Sequence, residues 1–126
     1  MAKFTADAVI DAALNHVADN GSVMHVCSQE PTNYTQASST YNLADQALTT
    51  GDGNGSYTVS DGDSGGRKLT VAQQAGVNVD STGTATHVAI CSGSVLLLVT
   101  TCTSQAITSG NTVTIPSFFE TIGDPT

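Results

Sequence analysis

Residues 62–66 read Gly-Asp-Ser-Gly-Gly, the string that surrounds the nucleophile in a large class of two-barrel serine proteases. In that chemistry Ser64 would attack an acyl carbon, and the glycine beside it would help to stabilise the oxyanion. Four features oppose the reading. At 126 residues the chain has about half the length that two barrels need. The triad's His and Asp precede the serine in that class, whereas His87 follows Ser64. Its proline after the second glycine is replaced here by Arg67. Finally, the surrounding YTVSDGDSGGRKLTV is the pattern of a hairpin whose loop requires Asp and Gly. A turn is the expected role of the motif.

Two metal chemistries are also spelled by spacing. Asp52, Asn54, Ser56, Thr58, Ser60 and Asp63 occupy positions 1, 3, 5, 7, 9 and 12 of a calcium loop. Tyr57 stands where that loop requires glycine, position 12 is Asp, and neither flank has a helical pattern, so a solvated acidic loop is the expected state. His25 and Cys27 alternate on one strand, and His87 and Cys91 share a face of another. They would make a Cys/His zinc set only if the two strands were neighbours, and the close pairs of structural zinc motifs are missing. No metal or cofactor is therefore expected. Cys27, Cys91 and Cys102 are an odd number of thiols and read as small buried apolar side chains, with a disulfide left open. A two-residue hairpin loop would set Cys91 opposite Ser94, not Cys102. The sequons at Asn20, Asn33 and Asn54 are taken as chance.

Composition excludes some functions. The net charge is −8, and Lys3, Arg67 and Lys68 are the only Lys or Arg residues. Binding to a phosphate backbone needs several cations in one patch, so nucleic acid is not an expected partner. Anionic membrane surfaces are disfavoured on the same ground. Asp7 and Asp11 interrupt any signal-peptide core, and the aliphatic run at 95–99 is far too short to span a bilayer. With 39% apolar residues, 5% aromatic and 11% charged, the chain can build one modest core under Thr-rich faces.

The elements that would position these groups follow from periodicity. Ala6, Val9, Ile10, Ala13, Leu14 and Val17 line one helix face, predicting a helix over 5–20 with Thr5 as cap, a Phe4–Val9 staple and Asp7, Asp11 and Asn15 in solvent. Residues 22–28 alternate as a strand. From 31 to 55 the pattern weakens into a long connection, expected to be an extended arm with a helical turn near 43–47. Residues 56–60 and 67–72 form a hairpin, and 77–79 a short strand. The apolar stretch 84–101, broken by Ser92-Gly93-Ser94, is read as the central hairpin, with 95–99 covered on both faces. Residues 102–108 and 111–115 would pair around Ser109-Gly110-Asn111, and Pro116 would open a tail. The fold class expected is mainly β: a β-sandwich or small β-barrel of about seven strands with one N-terminal α-helix. It forms a single domain over 1–126, with its β core at 56–115 and its tail at 116–126.

THVAICSGSVLLLVTTCTSQAITSGNTVTIPSF at 86–118, together with the opening AKFTADAVIDAALNHVADNGSVMHVCSQEPTNYTQASSTYNLAD, resembles small structural proteins encoded in the morphogenesis region of tailed-bacteriophage genomes. The shared features are a helix, a CSQxPxxY segment and a closing TSGNTVxIP segment. The resemblance implies a virion component made in the host bacterial cytoplasm, without catalytic residues. Its leading form is a capsid decoration (cement) protein that binds the assembled major capsid protein as a homo-oligomer; a tail or fibre-attachment component is the alternative. A cell-surface or carbohydrate-binding β-module is a competing class, although three Tyr, three Phe and no Trp supply little aromatic platform. A serine hydrolase is the last. The partner-binding candidates are Tyr34, Tyr41 and Leu43 on the arm, and Phe118, Phe119 and Ile122 near the C-terminus.

Overall fold

A computed structural model describes residues 5–124. Among them, helix α1 (Asp7–Asn20) is followed by nine strands: β1 (Val23–Cys27), β2 (Asn42–Ala47), β3 (Tyr57–Asp61), β4 (Arg67–Val71), β5 (Gln74–Asn78), β6 (Gly83–Cys91), β7 (Leu96–Ile107), β8 (Thr112–Ile115) and β9 (Phe118–Ile122). A short π-helical segment, Gln36–Thr40, lies between β1 and β2. The strands form three antiparallel sheets, ordered β2-β1-β6-β7, β3-β4-β9 and β5-β8. They do not close into a barrel; of the two expected architectures, the sandwich is the one the chain adopts.

The stretch at 84–101 supplies the β6–β7 hairpin, and β1 lies on the other side of β6. The loop closes through Ser92: its amide donates to the Val95 carbonyl at 2.9 Å, and its hydroxyl accepts from the Val95 amide at 3.0 Å. The first pair beyond the loop is Cys91 with Leu96, not with Ser94. Cys102 lies in a bulge opposite neither, and all three cysteines are free thiols. Met24, Val26, Val88 and Ile90 face the main core, where they meet Leu69 and Val71 of β4, Val77 of β5 and Ile115 of β8. The opposite face of the same sheet holds a smaller cluster, Cys27, Ala37, Ala89 and Cys91, fringed by Tyr34 and Tyr41.

Helix α1 packs on β3 and β4 through Ile10, Leu14 and Ala18, spaced i, i+4, i+8 on one face. The stripe is narrower than the sequence pattern suggests. Ala13 is exposed and Val9 is 62% exposed, and the expected Phe4–Val9 staple involves Phe4, which lies outside the described residues. The N-cap position is Ala6, and no side chain caps the helix, Thr5 included. At the other end Gly21 has ordinary negative φ, so its role is space: a Cβ would overlap the Tyr57 hydroxyl and the Ile90 side chain. The buried Tyr57 hydroxyl donates to the Gly21 carbonyl at 2.6 Å, locking the helix end onto β3.

Four other expectations are corrected. Residues 42–47, read within an extended arm and as a helical turn, are strand β2, paired along β1. Residues 96–107 run as one strand, and β8 pairs with β5 rather than with 102–108. The strand at 95–99 is covered on both faces only in part: Leu98 packs on the main core and Leu96 and Val99 on the opposite cluster, each half-buried, while Val95 stands exposed. The tail is also structured. Pro116 interrupts pairing after β8, and the chain turns onto another sheet, where β9 pairs with β4 from Val71–Phe118 to Arg67–Ile122.

Candidate functional site

The Ser64 motif is a turn. Gly65 and Gly66 have φ of 97° and 68°, a region that favours glycine, and the Gly62 amide donates to the Gly66 carbonyl at 3.0 Å. Ser64 is exposed in this turn, and among the described residues no histidine is hydrogen-bonded to it. The calcium spacing is also used otherwise. The Asp52 carboxylate accepts from the Val59 amide at 2.9 Å, the Ser56 hydroxyl accepts from the Thr49 amide at 3.0 Å, and Asp63 pairs with Lys68 at 2.8 Å. Thr58 and Ser60 lie along the extended strand β3, which draws the spaced oxygens apart.

The two strands of the zinc reading are neighbours, and Cys27 lies directly opposite His87. Among the described residues, however, no group of three His, Cys, Asp or Glu side chains is placed to hold a metal ion. Burial raises the thiols: Cys27 is pushed up to about 12, with Cys91 and Asp45 adding to the effect, Cys91 is pushed up to about 11, and Cys102 is raised as well. Protonated thiols are poor nucleophiles and poor metal ligands.

His25 forms the most organised polar cluster. It is 5% exposed on β1. Its Nδ1 donates to Asp45 Oδ1 on β2, which also accepts from Asn42 Nδ2 at 2.6 Å. Asn42 Nδ2 reaches the Ala37 carbonyl at 3.2 Å, tying the pair to the π-helical segment. The Tyr34 ring stands edge-on to the imidazole, with centroids 6.4 Å apart. Nε2 is buried without a partner among the described residues. The neighbouring Cys27 Sγ faces the Ala37 and His25 carbonyls at 3.7 and 4.0 Å, so no nucleophile completes the dyad. The sequence held no sign of this cluster, because Asn42 and Asp45 fell in a stretch read as a loop.

The other constructed feature is a cleft of about 320 Å³ between β7 and the β8–β9 connection. Its floor is Val26, Ala85 and Val88, its walls include Cys102, Ile115 and Phe118, and none of the described residues that line it is charged.

No protein-family model, curated protein or solved structure matches this chain.

The six partner-binding candidates fall into different environments. Leu43 is 6% exposed and packs against Gly83 in the main core, so it is not a surface contact. Tyr34 and Tyr41 are half-buried over the Cys27–Cys91 cluster. Phe118 and Ile122 pack against the main core from β9. Phe119 points the other way. It is 55% exposed, and the Lys68 ammonium stands 5.1 Å from its ring centroid. Of the three cations, Arg67 is bound to Asp11 at 2.7 Å and Asp61 at 2.6 Å, and these hydrogen bonds raise its already high pKa; Lys68 is bound to Asp63. Arg67 thereby clamps α1 to the β3–β4 hairpin, and Asp11 does not stand free in solvent.

Proposed function

We propose that this chain is a non-enzymatic structural protein of a tailed-bacteriophage virion, made in the host cytoplasm. Its specific role in this reading is capsid decoration: it binds the assembled major capsid protein and needs no cofactor, nucleic acid or membrane. The observation that carries the proposal is where unsatisfied groups remain. Arg67, Lys68 and Asp45 are engaged within the fold and the thiols are raised, whereas Val9, Val95 and Phe119 stand exposed on a small acidic β domain. Surfaces, rather than a cluster of reactive groups, are what such a molecule offers to a partner. The sequence resemblance supplies the virion context. Phe119, half-exposed Tyr34 and half-exposed Tyr41 are the contacts to examine first; the Phe119 ring, braced by Lys68, presents an aromatic anchor that needs little further ordering.

The test is co-sedimentation of the purified protein with phage heads that lack it, counting copies per particle. Many copies spread over the shell support decoration. A handful at one vertex replaces it with a tail or connector role. Absence of binding overturns both and directs attention to a free cell-surface-binding β-module.

A further inference from the structure

We infer that the outer edge of β7 is a self-association site, at which two copies of this chain pair antiparallel and cover each other's open cleft. No other described strand pairs with that edge. Natural edge strands are protected from pairing by charge, by shortness or by bulges, and in β7 the bulges leave the stretch from Leu98 to Thr101 open to pairing. The other edges conform: β2, β3 and β9 carry Asp45, Asp61 and Glu120, and β5 and β8 have only five and four residues. Strand β7 has 12 residues, Leu-Leu-Leu-Val-Thr-Thr-Cys-Thr-Ser-Gln-Ala-Ile, with no charge and no proline.

Charge selects the occupant. From Ser81 to Phe119 the chain contains no Asp, Glu, Lys or Arg, although the whole carries −8. Strands β6, β7 and β8 all fall in this stretch, so every acidic side chain lies elsewhere in the sequence. A second copy, equally acidic, meets least repulsion if it approaches by this edge. A basic partner would find no carboxylate on the strand itself. The neighbouring cleft, with its apolar floor and uncharged lining, needs an equally uncharged cover.

The register follows from the irregularities of β7. Bulges opposite the 85–87 and 90–91 steps of β6 bound a regular stretch from Leu98 to Thr101. A two-fold axis through the facing Thr100 residues sets Val99 opposite Thr101 of the second copy, and Leu98 opposite Cys102 of the second copy, pairs that share a face of the joined sheet. Both β7 edges are consumed, so the assembly closes as a dimer. The inference does not depend on a phage partner.

The test is sedimentation velocity of the whole chain up to about 100 µM, enough to populate a dimer of micromolar affinity. The wild type is expected to show a concentration-dependent dimer. Thr101→Lys, at an exposed β7 side chain, is expected to weaken it at least tenfold, while Thr58→Lys, the same charge change on exposed β3, leaves it unaltered. Mild oxidation of Leu98→Cys is expected to give a covalent dimer through Cys102 of the second copy, lost when Cys102→Ser is added. A bond within one chain is excluded, because four residues along a strand span about 13 Å. A wild type that stays monomeric, a dimer indifferent to Thr101→Lys, or no crosslink from Leu98→Cys would overturn the proposal.

Discussion

At the scale of single residues, burial has been spent on holding the fold rather than on tuning reactivity. Cys27 shows this most clearly. It is fully buried, and its thiol is pushed from 9.0 to about 12 by desolvation, with Cys91 and Asp45 adding to the shift. The sign of the linkage follows. A group whose pKa is raised on folding supports the fold fully below its unfolded value, and that support drains away as pH rises toward the folded value. Cys91 and Tyr57 are raised by burial too, so they act in the same direction. The melting temperature is therefore expected to fall between about pH 9 and about pH 12. The fall should be smaller in Cys27→Ala, as thermal denaturation at a series of pH values would record. An unchanged melting temperature across that window would mean that these thiols ionise freely in the fold.

At the scale of elements, strands without strong patterns of their own are completed by neighbours. Strand β2 buries only Leu43 and Ala44 and carries Asp45, so its residues do not announce a strand; β1 imposes one by pairing with it. Strand β9 follows a proline and is held by β4 together with Phe118 and Ile122 against the core. Truncation after Ser117 would thus remove a sheet edge and two apolar contacts. We expect a loss of about 3 kcal/mol or more, read by urea denaturation. Phe119→Ala removes an exposed ring from the same strand and should cost below about 1 kcal/mol while weakening partner binding in the head co-sedimentation assay. Equal destabilisation by both changes would place Phe119 in the core after all.

At the scale of the whole molecule, the dominant quantities are charge and its placement. A sequence pI near 4.2 and a net charge of −8 at neutral pH keep copies apart in solution. Solubility should be lowest near pH 4.2 and rise steeply toward neutrality, as turbidity against pH would show. A minimum displaced well above that value would mean that some carboxylates hold their protons to higher pH in the fold than free carboxylates do. The uncharged stretch from Ser81 to Phe119 breaks this repulsion along one side of the sequence, and the β7 edge falls within it.

Sequence alone determined the class of fold, because period-2 apolar alternation at 22–28, 56–60, 67–72 and 84–91 and the 3.6-residue stripe of α1 are local signals that survive without neighbours. It also determined the turn at Ser64, since Gly65 and Gly66 answer a local need for positive φ. Only tertiary structure decided the pairing of β8 with β5, the return of β9 to β4 and the meeting of His25 with Asp45. Those depend on contacts between residues far apart in the chain, and Leu43 illustrates why they stay hidden: an isolated leucine in a polar connection reads equally as a surface anchor or a core residue. Its burial was settled by β1 and Gly83, which lie 15 or more positions away in the sequence.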